Sequence, residues 1–260
     1  YADATRSIES RALASFFVRK EELASELIAY FGSFQQVISF LFDPDKIFAD
    51  NLKRAGVRNL ITGSPKIADE EHAARQLARP LERLALYLED PAATLRLPQR
   101  EKLDQIAIHA GSGSETKNWP IEKWIELARQ LVEPNDGNKL LLVGGEADLA
   151  RLAALRAALP NERAELAENL SLPELAARLQ SSRLFLGHDS GISHLAAAVG
   201  TPSLLLFGPT DPAVWAPANS HVRVLRAASL TMERIEVGEV LEALRKLLGT
   251  PHPGRRGFAS

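Results

Sequence analysis

The side chains with the most chemical potential in this chain lie together in the segment GHDSGISH, residues 187–194. Asp189, Ser190 and His194 are the residue types of a hydrolase triad. A triad needs its nucleophile, base and orienting acid in line, whereas Asp189 and Ser190 are neighbours and His194 follows within one helical turn. The serine is also misplaced for the GxSxG turn of the α/β-hydrolases. The pattern therefore disfavours a serine hydrolase.

The same segment suits an anion site at the start of a helix. Residues Ile192–Val199 predict an alanine-rich helix that Ser190 or Asp189 caps. Gly191 would let a ligand approach closely, and His194 would project toward it from the first turn. Unpaired N–H groups and a partial positive charge at a helix N-terminus favour phosphate. The plain alternative is a capped helix with a structural histidine.

A second loop, HAGSGSETKNWP at residues 109–120, combines small residues with one cation. Ser112 and Gly113 would let a diphosphate approach the backbone while Lys117 neutralises its charge. The loop matches neither GxxxxGK[ST] nor a GxGxxG that opens directly into a helix. A P-loop ATPase and an NAD dehydrogenase are therefore disfavoured, and an ordinary glycine-serine turn stays open.

Acidic residues raise two further possibilities. Glu146 follows two glycines, so it could cap a helix or accept hydrogen bonds from a ribose. Asp43 and Asp45 have the spacing of the acidic pair that holds a metal in many nucleotide-sugar enzymes. A turn that leads into a helix explains this pair better, because Pro44 stops the preceding apolar run. The sequence also has no cluster rich in His or Cys, so we expect no metal site and no cofactor.

The elements that must position these residues alternate regularly after residue 105, which implies a parallel sheet wrapped by helices. In that architecture ligands sit at the carboxyl ends of the strands, where the polar loops also lie. The predicted strands are Ile106–His109, Lys139–Val143, Leu184–Leu186 and Ser203–Phe207. The predicted helices are Ile121–Leu131, Glu146–Ala158, Ser171–Leu179, Ile192–Val199 and Val237–Leu248.

The first hundred residues also alternate strand and helix. We predict strands at Val37–Phe42, which should be buried, and at Asn59–Thr62. Helices are predicted at 21–31, 45–55 and 70–88, the last of them split or kinked by a proline at position 80. The polar stretch Arg96–Gln105 reads as a linker. We therefore expect domains at 1–100 and 101–250, with a loosely held tail at 251–260.

Composition limits the class of protein. The chain has 260 residues, a formal net charge of -2 and no cysteine, which excludes disulfide and thiolate chemistry. With this net charge the chain lacks the excess of basic residues that is typical of nucleic-acid-binding proteins. No apolar run approaches the length of a membrane span, and the first residues lack the shape of a signal peptide. These features are compatible with the cytoplasm.

Four motifs in order resemble the carboxyl-terminal domain of the ADP-heptose:lipopolysaccharide heptosyltransferases, glycosyltransferase family 9: IHAGSGSETKNWPIEKWIELARQL, LLLVGGEADLARL, LSLPELAARLQSSRLFLGHDSGISHLAAAVGTP and LLLFGPTDPAVWAP. The resemblance implies an α/β GT-B fold with two Rossmann-like domains, the first for the acceptor and the second for the ADP-sugar. It implies inverting, metal-independent transfer of a heptose or related sugar to a lipopolysaccharide-type glycan. The expected location is the cytoplasm, with peripheral contact at the inner membrane left open.

The resemblance also assigns roles to residues. Lys117, with Ser112 and Gly113 in its loop, matches the lysine that contacts the donor phosphate and assists departure of ADP. Glu146 matches the acid beside the ribose, and Leu170 lies in the wall on which adenine rests.

The D-[S/T]-G-x-x-H motif of the family, which grips the diphosphate and the sugar, matches Asp189, Ser190, Gly191 and His194. This assignment is chemically consistent. Departure of ADP leaves negative charge, which a helix N-terminus and a lysine stabilise as it develops.

One departure from the family concerns the general base. Family members open with an apolar strand and a Gly-Asp turn near their catalytic aspartate, and nothing similar precedes Val37. Residues 1–100 resemble the later half of such a domain, so we expect an incomplete first domain and a base that is absent from this sequence. Two alternatives stay open: a nucleotide-sugar binding protein without chemistry, and another GT-B enzyme, such as an epimerase or a UDP-sugar transferase.

Overall fold

The computed structural model describes residues 3–68, 70–133 and 138–249. The chain forms two compact units, Tyr1–Glu89 and Asp90–Ser260. The polar stretch Arg96–Gln105 is not a free linker but lies within the second unit. Leu95 and Leu97 pack against a core cluster of that unit, and strand β3 already begins at Leu103. The predicted tail, 251–260, lies outside the described residues.

The first unit contains short elements around a phenylalanine-rich core. Its two strands, β1 (Val37–Ser39) and β2 (Leu60–Thr62), pair in parallel. Its helices are α1 (Ser25–Gly32), α2 (Ile47–Arg54) and α3 (Ala73–Ala78), with 3₁₀ helices at Arg11–Phe17 and Arg79–Leu84. The change from α3 to a 3₁₀ helix at Arg79 confirms the predicted break beside the proline.

Two predictions for this unit had different outcomes. The strand predicted at Val37–Phe42 ends at Ser39 and is not buried: Ile38 is 41% and Phe42 61% exposed. Alternation along a strand turns Ile38 to the face opposite its neighbours. The turn at Asp43, by contrast, is as predicted. Its carboxylate accepts hydrogen bonds from the N–H groups of Phe48 at 3.3 Å and Ala49 at 2.9 Å, at the start of α2.

The second unit is built on a six-stranded sheet in which every neighbouring pair is parallel. The strands are β3 (Leu103–His109), β4 (Lys139–Gly144), β5 (Ala164–Glu168), β6 (Ser182–His188), β7 (Ser203–Phe207) and β8 (Val222–Arg226). Their spatial order is β5-β4-β3-β6-β7-β8. The order reverses direction between β3 and β6, which makes the carboxyl ends of these two strands the switch point where such sheets bind ligands.

Helices cover both faces of this sheet. They are α4 (Ile121–Leu131), α5 (Leu149–Ala157), α6 (Leu172–Ser181), α7 (Gly191–Ala198), α8 (Pro212–Trp215) and α9 (Val237–Gly249). Alternate strand residues face opposite sides. Ile106 and Ile108 of β3 pack in the cluster that holds Trp124 of α4, and Ala107 packs in the one that holds Leu179 of α6.

The two edge strands, β5 and β8, were missed by sequence reasoning. Each has five residues, with two charged side chains three positions apart in AELAE and VRVLR, so that one charge falls on each face. An edge strand is only half covered, so its apolar pattern is short and weak. By contrast, α4 and β7 occupy the predicted bounds, because both carry clear apolar patterns that end at turn residues.

Gly200, which ends α7, permits a test of the fold. Its φ is +82°, and an added Cβ would meet no atom within 4 Å. Gly200→Ala should therefore destabilise the chain through backbone strain alone, by about 1 kcal/mol. Gly238→Ala in α9 is the matched control, since that site is equally open without a positive φ. Urea unfolding measures both; equal stability of the two variants would contradict the assignment.

Candidate functional site

A cavity of about 680 Å³ opens at the carboxyl edge of the large sheet. Its walls come from the ends of β3, β4 and β5 and from the start of α7, beside the switch point. Six residues predicted as donor-binding from the sequence lie in these walls: Ser112, Gly113, Glu146, Leu170, Ser190 and Gly191. Three predicted site residues, Lys117, Asp189 and His194, are not among the described residues that line it.

The N-terminus of α7 forms one wall of the cavity. Ser190 caps the helix, because its Oγ accepts a hydrogen bond from the N–H of Ser193 at 3.4 Å. The next residue is Gly191, where an added Cβ would meet no protein atom within 4 Å. The first turn of the helix, with its positive end, is therefore open to a ligand in the cavity.

Lys117 forms an ion pair with Asp189 across the switch point. Its Nζ lies 3.1 Å from Oδ2 of Asp189, and the two side chains are 28% and 10% exposed. The positive charge of Lys117 is thus paired with a carboxylate. An incoming anion would have to share this ammonium group with Asp189.

The other predicted residues occupy different surroundings. His194 Nε2 lies 3.0 Å from the carbonyl oxygen of Trp215, away from the cavity wall. Glu146 is exposed at the rim and does not cap its helix, because the N–H of Gly145 donates to Asp148 instead. Leu170 provides an apolar part of the wall.

His109 and Asp148 are site residues that sequence reasoning missed. His109 Nε2 lies 3.1 Å from Oδ2 of Asp148, and both residues line the cavity. The hydrogen bond from His109 holds the pKa of Asp148 below its usual value. An added Cβ at Gly111 would lie 1.7 Å from Oδ1 of Asp148, so only glycine leaves room for this carboxylate. No local sequence signal links His109, at the end of β3, with Asp148, which follows β4.

His188, at the end of β6, is fully buried and fixes the glycine-serine loop to the sheet. Its Nε2 accepts a hydrogen bond from the N–H of Trp119 at 3.0 Å, and its Nδ1 lies 3.3 Å from the carbonyl oxygen of Gly111. The ring packs edge-on against Trp124. Burial lowers the pKa of His188 to about 3, so the imidazole is neutral and Nδ1 donates to Gly111.

The buried imidazole predicts acid sensitivity. Below a pH of about 6.5 the unfolded histidine takes up a proton, whereas the folded one does so only near its pKa of about 3. The free energy of unfolding should therefore decrease as the pH is lowered from about 6.5 to about 3. His188 alone should contribute a loss of roughly 1 kcal/mol per pH unit. His188→Gln should be less stable near neutrality but show a shallower pH dependence in urea unfolding. Parallel pH profiles for the two proteins would contradict this account.

Two features are absent from the described residues. No helix in this part of the chain has the length and apolar character needed to cross a membrane. Within the same ranges, no three His, Cys, Asp or Glu side chains are grouped so that they could hold a metal ion.

The strand order, the cavity at the switch point and the helix N-terminus beside it define a Rossmann-like α/β protein. Comparison with known sequences gives the family. The chain belongs to Glycosyltransferase family 9 (heptosyltransferase), whose sequence profile matches residues 77–243.

Curated relatives carry related names. The chain is 40% identical over 97 residues to lipopolysaccharide heptosyltransferase 1 of Pseudomonas aeruginosa, a match that covers 37% of this chain and 26% of that protein. It is 32% identical over 114 residues to lipopolysaccharide heptosyltransferase 2 of Salmonella typhimurium, covering 42% of this chain and 32% of the relative. The matched segments thus span about a quarter to a third of these relatives' lengths.

Solved structures confirm the predicted fold class. A glycosyltransferase of family 9 from Veillonella parvula superimposes with a TM-score of 0.67 at 20% identity, over 86% of this chain and 77% of that one. A heptosyltransferase from E. coli, solved with ADP, gives a TM-score of 0.65 at 18% identity over the same shares of the two chains. The parallel α/β architecture is that of the GT-B heptosyltransferases.

Proposed function

We propose that this chain belongs to an enzyme that transfers a heptose from ADP-heptose to a lipopolysaccharide-type glycan, and that its second unit binds the ADP-sugar. The observation that carries the proposal is the cavity at the switch point, because it brings the glycine-serine loop, an apolar wall and the N-terminus of α7 to one place. The names of the relatives, lipopolysaccharide heptosyltransferases 1 and 2, supply the sugar and the acceptor.

In this proposal each part of the donor has a counterpart in the cavity. The diphosphate lies against the start of α7 and the loop at Ser112 and Gly113, where small residues allow close approach to backbone N–H groups. The ribose reaches the exposed carboxylate of Glu146. Adenine rests on Leu170 and Leu172, two exposed leucines that line the same cavity.

Lys117 is proposed to stabilise the leaving group. When the acceptor hydroxyl attacks the anomeric carbon, the bond to the diphosphate breaks and negative charge develops on ADP. Lys117, held near the switch point by its ion pair with Asp189, can turn its ammonium toward that charge. His194 would close on the sugar after leaving the carbonyl of Trp215.

The remaining parts of the reaction rest on the family resemblance. The proton of the acceptor hydroxyl goes to an aspartate outside residues 1–260, and positive charge from Lys117 and α7 takes the place of a metal. The first unit contributes to the acceptor side. The same proposal places the enzyme in the cytoplasm, with peripheral contact at the inner membrane.

Gly191→Ala tests the position of the diphosphate. The added methyl group meets no protein atom, so the fold should be unaffected, but it would occupy the space proposed for phosphate. Calorimetry should show ADP binding at least about tenfold weaker, a loss of roughly 1.4 kcal/mol. Gly238→Ala, remote from the cavity in α9, is the control. Unchanged ADP affinity in Gly191→Ala would place the diphosphate elsewhere.

Lys117→Ala tests the leaving-group role. In the protein at its full natural length, release of ADP from ADP-heptose with a core acceptor should fall by about a hundredfold or more. Lys139→Ala removes the same charge at the amino end of β4 and should change little. Equal rates in both variants would refute the role.

The same protein and substrates distinguish the proposed enzyme from the two alternatives, a UDP-sugar enzyme and a binding protein without chemistry. ADP should compete with the donor far better than UDP does, whereas the reverse order would indicate a UDP-sugar enzyme. Donor binding without turnover, at full length and with a core acceptor, would indicate a binding protein.

A further inference from the structure

Three side chains from separate elements form a hydrogen-bonded relay along the cavity wall. Asp148 Oδ2 lies 3.1 Å from His109 Nε2, and the other ring nitrogen of His109, Nδ1, lies 3.4 Å from Ser190 Oγ. His109 ends β3, Asp148 follows β4, and Ser190 caps α7. All three residues line the cavity, and His109 is only 4% exposed.

Asp148 determines which nitrogen of His109 carries the proton. Its pKa is lowered, chiefly by the hydrogen bond from His109, so the carboxylate is ionised near neutrality. An ionised carboxylate only accepts hydrogen bonds. Nε2 of His109 therefore bears a hydrogen, and in the neutral ring Nδ1 is left as an acceptor for the hydroxyl of Ser190.

Ser190 has one hydroxyl hydrogen to place. Its Oγ already accepts from the N–H of Ser193, and the hydroxyl of Ser193 donates to the carbonyl oxygen of His188. While His109 is neutral, the hydrogen of Ser190 has two acceptors in reach, Nδ1 of His109 at 3.4 Å and Oγ of Ser193 at 3.2 Å. A phosphate oxygen in the cavity would then meet lone pairs at Ser190 rather than a donor.

Protonation of His109 reverses this arrangement. Nδ1–H then donates to Ser190 Oγ, which leaves the hydroxyl hydrogen of Ser190 to be exchanged between Ser193 and an anion, and Asp148 balances the imidazolium. We propose that anion binding in this cavity takes up a proton at His109, with Asp148 acting as the positioning residue. That the anion is the diphosphate of an ADP-sugar rests on the function proposed above.

Several other charged groups lie around His109, and one of them, the exposed carboxylate of Glu146, lines the same cavity. Arg151 of α5 forms an ion pair with Glu115 at 2.6 Å. Lys117 forms an ion pair with Asp189, the residue before Ser190 in the sequence. His188, on β6, stays neutral because burial lowers its pKa to about 3.

Calorimetry in two buffers of different ionisation enthalpy tests the proposal on the wild-type chain. At a pH of about 8, where the phosphates of ADP are ionised, ADP binding should take up a measurable fraction of one proton. Affinity should rise as the pH is lowered from about 8.5 to about 7.5, by at most tenfold per unit. Binding without proton uptake would overturn the relay and leave the proposed function intact.

Inorganic pyrophosphate distinguishes proton uptake at His109 from the proposed binding of an ADP-sugar. Nitrogen-15 spectra of the imidazoles should show His109 protonated at Nε2 in the free chain and at both nitrogens with saturating pyrophosphate. If pyrophosphate produces this change while ADP does not bind, the relay stands and the nucleotide assignment falls. A free chain with the hydrogen of His109 at Nδ1 would overturn the relay.

Asp148→Asn is the informative variant, because it keeps the shape of the side chain and removes its charge. Proton uptake on ADP binding should disappear, and affinity should fall by about tenfold and lose its pH dependence. Glu122→Gln removes an exposed carboxylate of α4 outside the cavity wall and should retain the uptake. Proton uptake that persists in Asp148→Asn, in a chain with native circular dichroism, would contradict the positioning role.

Discussion

The pairing of β3 with β6 is the constraint on which the site depends. These strands are distant in sequence but pair in parallel, with Ile106 opposite Leu184 and Ile108 opposite Leu186. Parallel pairing places the ends of both strands at one edge. His109 and Ser190 can therefore touch, and the loop that carries Lys117 can reach Asp189. Without this register the loops that follow β3 and β6 would not lie close enough to form one site.

A neutral histidine then secures the loop at that edge. His188 accepts from the backbone of Trp119 and donates to that of Gly111, so both ends of the glycine-serine loop are bound to β6 through one ring. Burial keeps the ring uncharged, which allows one nitrogen to accept while the other donates. A lysine or carboxylate could not make this pair of contacts.

The polar groups in and beside the cavity largely satisfy one another. Lys117 binds Asp189, His109 binds Asp148, and Ser190 contacts both His109 and the start of α7. These bonds hold the side chains in place before a ligand enters, so less ordering is needed on binding. An incoming anion must also compete with these side chains for Lys117 and Ser190. The affinity for the anion therefore depends on the free energy needed to break each existing hydrogen bond or ion pair.

The sequence by itself determined the central elements, the fold class and the motifs of this protein. The apolar patterns of α4 and β7 and the cap at Ser190 are local properties, so they could be predicted from neighbouring residues. The edge strands β5 and β8 could not, because half-covered strands carry a weak pattern. Only the tertiary structure decided that Asp148 binds His109 and that Lys117 pairs with Asp189. These partners end or follow different strands, and only the order of strands in the sheet brings them within bonding distance.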